Sequence, residues 1–248
     1  LWLGMIFVFL DLVDIDLVAG LILITALATA LIAGISFHEF SHAYVADTLG
    51  DDLPRRFGRV TLNPLAHLDR TGTILMLIIG FGWGKPVPVN PGATQNPKRT
   101  LWLTAAAGPL SNFGVAAIAG LPLKLDIVPW LPPFNPNVID FLVRGNWTLE
   151  QYAGLYLSSI LLISLILGVF NLIPIAPLDG FKVAVGLLPR DLSRSFSQLE
   201  PWGPVILLLL LVTPIITGGR FGLLFAAMRP IINELARLFA GIQGDVYS

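Results

Sequence analysis

Long apolar runs separated by short polar segments dominate the pattern of this chain. Crossing the hydrocarbon core of a bilayer takes about 20 apolar residues. Residues 17–49 carry no charge until position 38, and they predict a first helix that ends near Gly50. Three further runs predict spanning helices at residues 101–123, 152–173 and 202–216. The pattern therefore predicts an α-helical polytopic membrane protein.

Three other apolar stretches are shorter or interrupted. Residues 1–10 are followed by several aspartates and indicate the remnant of a span. Residues 71–84 are broken by glycines and predict a helix with a re-entrant end. Residues 221–242 contain Arg229-Pro230, which indicates an interfacial helix or a kinked last helix. With these stretches we expect about five to six transmembrane helices.

Two short segments, at about residues 58–62 and 85–91, have the composition of strands. The first is β-branched and is bounded by Gly58 and by Asn63-Pro64, and the second alternates proline with valine. Because proline cannot donate to a ladder, the second segment can only be an edge strand, which is a template for an added strand. Non-helical backbone at membrane depth is tolerated only inside the protein or along a wet cavity. We therefore expect a small membrane-embedded β element.

Composition agrees with a membrane location and excludes some partners. Hydrophobic residues make up 55% of the chain and charged residues 12%, and the mean hydropathy is +0.78. Soluble domains carry about 25% charged residues, so this chain has too few to cover a water-facing surface, and we expect contact with the lipid bilayer. The net charge is −1 and there is no basic stripe, which argues against a nucleic-acid partner. The absence of cysteine excludes disulfides and thiolate metal ligands.

The distribution of basic residues predicts an orientation. Seven of the fifteen lysines and arginines lie in residues 55–99 and three more lie in residues 182–194, whereas residues 124–150 hold only two against three acids. By the positive-inside rule, residues 50–100 and 180–200 face the cytosol and residues 124–150 face the other side. We therefore expect a multi-pass protein of the cell membrane with a site accessible from the cytosolic side.

All three histidines fall in two short motifs. His38 and His42 bracket Glu39 in HEFSH, and His67 closes NPLAH at residues 63–67. Two histidines spaced i, i+4 on one helical face bind zinc in zincins, and the glutamate between them is the general base. The motif alone can arise by chance. Its place in an apolar helix favours a metal site, because a buried glutamate flanked by imidazoles is costly without a metal or partner.

A third protein ligand is needed, since catalytic zinc takes three plus a water. His67 is the only other imidazole and there are no thiols, so carboxylates are the main remaining candidates. Asp179 stands out, because it follows an apolar span directly after the helix-breaking Pro174 and Pro177. The alternative is that Asp179 caps a helix starting at Gly180. Position alone leaves both interpretations open.

Four motifs together carry a family resemblance. HEFSH, NPLAH, the Gly108–Asn112 segment GPLSN and the 171–180 segment NLIPIAPLDG occur in the order found in the site-2 protease family of intramembrane zinc metalloproteases. The chain resembles, over about residues 32–181, the compact prokaryotic branch without PDZ or CBS domains. The resemblance implies that His38, His42 and Asp179 bind one Zn²⁺ and that Glu39 is the base. It favours Asp179 as a ligand over a cap.

Five further residues are candidates with open roles. Asn112, in mid-span, either makes a helix contact with one hydrogen bond or, as the resemblance suggests, holds substrate or the oxyanion. Asn171 either donates to substrate backbone or organises the proline-broken turn. His67 stabilises the oxyanion, gates the site or caps local structure. Val87 and Val89, on the predicted edge strand, would pair with an unwound substrate.

The expected function is that of a zinc-dependent metalloendopeptidase performing regulated intramembrane proteolysis. It would cut within or near the transmembrane helices of membrane-protein substrates, as a single domain over residues 1–248 with a motif-bearing core at about 17–200. The alternative is a non-proteolytic membrane zinc protein, either a pseudoprotease scaffold or a transporter. Transporters often show inverted repeats, and none is visible here. A pseudoprotease would usually lack the base or a ligand, and all four residues are present.

Overall fold

The structure is a computed structural model that describes residues 16–69, 71–72, 84–217, 222–243 and 245–246. Within these residues the fold is helical. The α-helices are α1 (Leu17–Thr48), α2 (Leu53–Arg56), α3 (Pro97–Lys124), α4 (Pro136–Arg144), α5 (Leu149–Asn171), α6 (Asp179–Leu187), α7 (Arg190–Ser197), α8 (Gly203–Ile216) and α9 (Leu223–Ala240). Short 3₁₀ turns lie at Pro64–Ala66, Pro91–Ala93 and Glu200–Trp202.

Helices α1, α3 and α5 pack against one another and form the centre of the molecule. α1 and α5 run in the same direction: the Thr25 and Tyr156 hydroxyls hydrogen-bond near their starts, and Gly34, at the middle of α1, faces Leu167, near the end of α5. α3 runs the opposite way, because Thr104 lies against His42 and a later residue of α3 lies against His38. An interface rich in alanine and glycine allows this close approach, as is common between membrane helices.

Two apolar clusters pack these helices against their neighbours. In the first, the buried face of α1 packs with α5 and with Val138 and Leu142 of α4. In the second, α3 and α5 pack against a stripe on α9 with a four-residue spacing: Leu224, Met228, Ile232, Ala236 and Ala240. Because α4 directly precedes the start of α5, it lies near the N-terminal end of α1. The C-terminal part of α1, which carries HEFSH, is at the other end of the molecule.

The central helices begin at polar caps rather than at the edge of their apolar runs. Asp16 accepts from the backbone N–H groups of Val18 and Ala19 at the start of α1. The Asn96 side chain caps α3, and Thr148 with Gln151 forms a capping box on α5. α3 and α5 therefore start at positions 97 and 149, a few residues before the apolar runs predicted from position 101 and position 152.

The prediction of a helical membrane protein is confirmed, but the number of spans is not. Within the described residues, four segments are long and apolar enough to cross a membrane: Leu17–Thr48, Pro97–Lys124, Leu149–Asn171 and Arg190–Pro214. The predicted remnant at residues 1–10 and most of the predicted re-entrant helix at 71–84 lie outside the described residues. Arg229-Pro230 does not interrupt α9, which continues through Pro230 with Arg229 and Arg237 on its exposed side.

The predicted β element is not confirmed. In the described part of the chain, residues 58–62 and 85–91 contain no strand, and a single antiparallel bridge joins Leu68 to Gly84. The first segment does not form a strand because its backbone donors bond locally. The Arg59 N–H donates to the Pro54 carbonyl, and the Thr61 N–H donates to the Arg59 carbonyl. β-branched residues favour a strand only where a partner strand is present, and these turns use the donors that a ladder needs.

Candidate metal centre

His38 and His42 lie one turn apart on α1 and turn the same way into the protein. Both side chains are buried, and their ring centroids are 4.6 Å apart. Nε2 of each imidazole lies 3.0 Å from Oδ2 of Asp179. The i, i+4 spacing on one continuous helix therefore does what the motif predicts, since it presents two ring nitrogens to one point.

Asp179 reaches the histidines because α6 begins there, directly after the turns that follow α5. Leu178 is the N-cap of α6, and no side chain caps the helix, so the capping alternative for Asp179 is wrong. A Cβ on Gly180 would lie 2.2 Å from the carbonyl oxygen of Leu172. Only glycine lets the first turn of α6 pack this tightly on the end of α5. The rest of α6 packs on α3, and its first residue presents the carboxylate to the histidines.

The three side chains fit a zinc ion. One ligand atom from each of His38, His42 and Asp179 lies within 4.8 Å of the others, and all three residues are buried. Two imidazole nitrogens and one carboxylate oxygen, with space for a water, are the ligand set of several catalytic zinc sites. A buried carboxylate between two imidazoles is also the charge arrangement that a divalent cation stabilises.

Glu39 is adjacent in sequence to His38 but is not part of the ligand cluster. Its side chain is half-buried, and none of the described residues donates a hydrogen bond to its carboxylate. A Cβ built on Gly84 would lie 3.3 Å from Glu39 Oε1, so the backbone at position 84 passes beside this carboxylate. Nζ of the exposed Lys182 is 4.0 Å from Oδ1 of Asp179, which shows that the cluster is close to the protein surface.

One face of α3 covers the backs of both imidazoles. Nδ1 of His42 donates to the Thr104 carbonyl at 2.6 Å, and Nδ1 of His38 lies 3.2 Å from Nδ2 of Asn112. Between them, a Cβ on Gly108 would stand 2.4 Å from Nε2 of His42 and 2.7 Å from Cε1 of His38. Sequence reasoning missed Thr104, because a main-chain carbonyl leaves no signal in the side chain, although the spacing 104, 108, 112 is helical.

The remaining candidate residues do not hydrogen-bond to the cluster. Nδ2 of Asn171 donates to the Leu167 carbonyl within α5 at 2.9 Å. His67 is fully buried; its Nε2 donates to the Thr61 carbonyl at 2.7 Å, and its Nδ1 has no partner among the described residues. Both contacts are local, and the predicted roles of the two side chains in the site stay predictions. Val87 and Val89 are half-buried in the segment without regular secondary structure that follows Gly84.

Two buried charged side chains hold that segment beside the site. The Asp51 carboxylate accepts from the backbone N–H groups of Leu53 at 3.1 Å and of Asn90 at 2.5 Å. The Arg59 guanidinium donates to the carbonyls of Ala66 and Lys85. Hydrogen bonds to charged groups are stronger than neutral ones, so residues 51–68 and 84–90 are held together without a β-sheet.

Comparison with known proteins agrees with this chemistry. The family model described as Peptidase family M50 matches residues 139–212. "Putative zinc metalloprotease YwhC" of Bacillus subtilis is 34% identical over 213 residues, which cover 86% of this chain and 92% of that protein. "Putative zinc metalloprotease Rip2" of Mycolicibacterium smegmatis is 29% identical over 198 residues, 76% of this chain and 67% of the relative. Its Mycobacterium tuberculosis namesake is 27% identical over 201 residues, 78% of this chain and 69% of the relative. No solved structure matches the chain.

Proposed function

The chain belongs to peptidase family M50, the site-2 protease family of zinc metalloproteases, and we propose that it is an intramembrane metalloendopeptidase. Its substrates are membrane proteins, which it cuts within or near their transmembrane helices in regulated intramembrane proteolysis. One observation carries this proposal: His38 and His42 of α1 converge with Asp179 of α6 on one point, and Glu39 lies between the two histidines on α1, which is long and apolar enough to span a membrane.

Each residue of the site has a defined task in this reaction. His38, His42 and Asp179 hold the zinc ion, which when bound polarises a carbonyl and lowers the pKa of a water. Glu39 accepts the proton of the attacking water and passes it to the leaving nitrogen. The half-buried position of its carboxylate, without a donor among the described residues, leaves it available for both transfers.

The position of HEFSH along α1 supports access from the cytosolic side of the cell membrane. His38 is the twenty-second residue of α1 and lies ten residues before its end, which is about 15 Å at 1.5 Å per residue. The site is therefore nearer to the C-terminal end of α1, which leads into residues 50–69 and their arginines. By the positive-inside rule that end faces the cytosol, and water reaches the site from there.

A helical substrate has to unwind before it can be cut, because its carbonyls are engaged in i→i−4 hydrogen bonds. Segment 85–90 has no regular secondary structure; it starts beside Glu39 and can pair with the unwound strand by β-augmentation. Within the described part of the chain, no group accepts a hydrogen bond from the backbone N–H of Val87 or Val89. These donors are free to bind a substrate backbone and to hold it near the ligand cluster.

The decisive experiment compares wild type with Glu39→Gln on reconstituted single-span peptides at equal zinc occupancy. Removing a general base costs roughly 10²–10⁴-fold in rate, so we expect Glu39→Gln to lose cleavage and keep zinc. Glu150→Gln, at an exposed acid at the start of α5, is the matched control and should cleave as wild type does. Equal cleavage by wild type and Glu39→Gln would overturn the proposal. Zinc binding without cleavage of any peptide would favour the non-proteolytic alternative.

A further inference from the structure

The carboxamide of Asn112 is a buried polar group in contact with a metal-ligating histidine. Asn112 is fully buried on α3, and its Nδ2 lies 3.2 Å from Nδ1 of His38. Its other end, Oδ1, has no hydrogen-bond partner among the described residues. Buried amides are usually satisfied at both ends. The contact with His38 is therefore the one polar interaction in the described residues that orients this side chain.

The tautomer of His38 is coupled to the orientation of this amide. If Nδ2 donates to Nδ1, the proton of the neutral imidazole is on Nε2, the nitrogen that faces Asp179. A histidine that binds a metal through Nε2 instead carries its proton on Nδ1 and donates it to a neighbouring acceptor. A half-turn of the carboxamide exchanges Oδ1 and Nδ2 at nearly the same positions, and it supplies that acceptor.

His42 already has the Nδ1 acceptor that a metal-binding histidine needs. Its Nδ1 donates to the Thr104 carbonyl at 2.6 Å, so its Nε2 is free for a metal. Thr104 and Asn112 are eight residues apart on one face of α3, on either side of Gly108. The same face of one helix thus presents a main-chain acceptor to one ligand and a side-chain oxygen to the other.

We propose that Asn112 is a positioning residue of the zinc site, whose Oδ1 accepts the Nδ1–H of His38 and directs its Nε2 lone pair at the ion. This inference rests on the proposed function, since it assumes that His38 binds zinc. It replaces the prediction that Asn112 holds substrate or the oxyanion, because the amide lies on the side of the imidazole opposite to Nε2. The structure gives His38 no other hydrogen-bond partner on Nδ1 within the described residues.

Two substitutions separate hydrogen-bond acceptance from packing. Asn112→Leu keeps the number of side-chain heavy atoms and the branch at Cγ and removes the acceptor, and Asn112→Asp keeps an acceptor of nearly the same shape. Zinc affinity is measured on the full-length protein in detergent by competition with a chromophoric chelator. Loss of an outer-shell partner weakens metal binding roughly 10–100-fold, so we expect that loss in Asn112→Leu and near-normal or tighter binding in Asn112→Asp.

A spectroscopic readout excludes a merely structural effect. The visible absorption of the Co²⁺-substituted protein reports ligand geometry, and we expect it to change in Asn112→Leu and to return in Asn112→Asp. Equal zinc affinity of wild type and Asn112→Leu would overturn the inference. An equal loss of zinc affinity in both variants would also overturn it. If Asn112→Leu does not fold, Asn112→Asp tests the inference by itself, and a loss of zinc affinity in that variant would overturn it. His38→Ala tests the proposed function separately. If this variant binds zinc as tightly as wild type does, the proposed metal site is wrong as well.

Discussion

A methyl group at position 108 should disable the site while leaving the helices intact. Gly108 is buried on α3 between the two imidazoles, and a Cβ there would lie 2.4 Å from Nε2 and 2.6 Å from Cε1 of His42. Favourable contacts between heavy atoms lie at about 3.5–4.0 Å, so the separation falls short by roughly 1 Å. Either α3 moves away from α1 by that amount or the imidazoles rotate away from Asp179.

The size of this displacement sets the expected loss. Metal–ligand distances vary by only about 0.2 Å, and a misplacement of about 1 Å in an active site costs on the order of 100-fold. We therefore expect Gly108→Ala to lose at least about 100-fold in zinc affinity or in kcat/KM for peptide cleavage. Chelator competition measures the first quantity, and cleavage of a reconstituted single-span peptide measures the second.

Gly114 provides the matched control on the same helix. It is exposed, and a Cβ at this position would meet nothing within 4 Å. Alanine stabilises a helix interior relative to glycine by about 0.5–1 kcal/mol, so Gly114→Ala should fold at least as well as wild type and keep its zinc. If Gly108→Ala matched Gly114→Ala in both zinc affinity and turnover, the argument that α3 packs directly against the ligands would be refuted.

Two further predictions concern the segments that flank the ligand cluster. Val87→Pro and Val89→Pro remove a backbone donor and should impair cleavage with zinc retained, whereas Val87→Ala keeps the donor and should cleave normally; normal turnover in the proline variants would rule out β-augmentation by this segment. Gly180→Ala would place its Cβ 2.2 Å from the Leu172 carbonyl oxygen, and this main-chain group cannot swing aside. We expect a loss of about 1–3 kcal/mol in stability together with weaker zinc binding, and an unchanged Tm and zinc affinity would contradict this account of the turn.

The sequence determined the features that depend on local periodicity. An uncharged run of 19 residues, Leu17 to Ile35, predicts a helix at membrane depth wherever the rest of the chain lies, because every backbone polar group must be satisfied within the segment. The i, i+4 spacing of His38 and His42 fixes their common face for the same reason, since it follows from the helical repeat alone. The helix ends were predicted less well, because caps such as Asn96 and Thr148 are polar residues outside the apolar runs.

Only the tertiary structure decided which distant residues meet these histidines. Asp179 is 141 residues from His38 in the chain, and its position was equally consistent with a cap. The packing of α6 on α3, and of Gly180 on the turn after α5, brings its carboxylate within 3.0 Å of both imidazoles. The strand prediction at residues 85–91 was not confirmed for a related reason, since a strand depends on a partner that composition does not specify. Asn112 became interpretable in the same way, because its role depends on which face of α3 meets α1. Local sequence encodes the helices, whereas the contacts between them depend on the shapes of all the side chains at once.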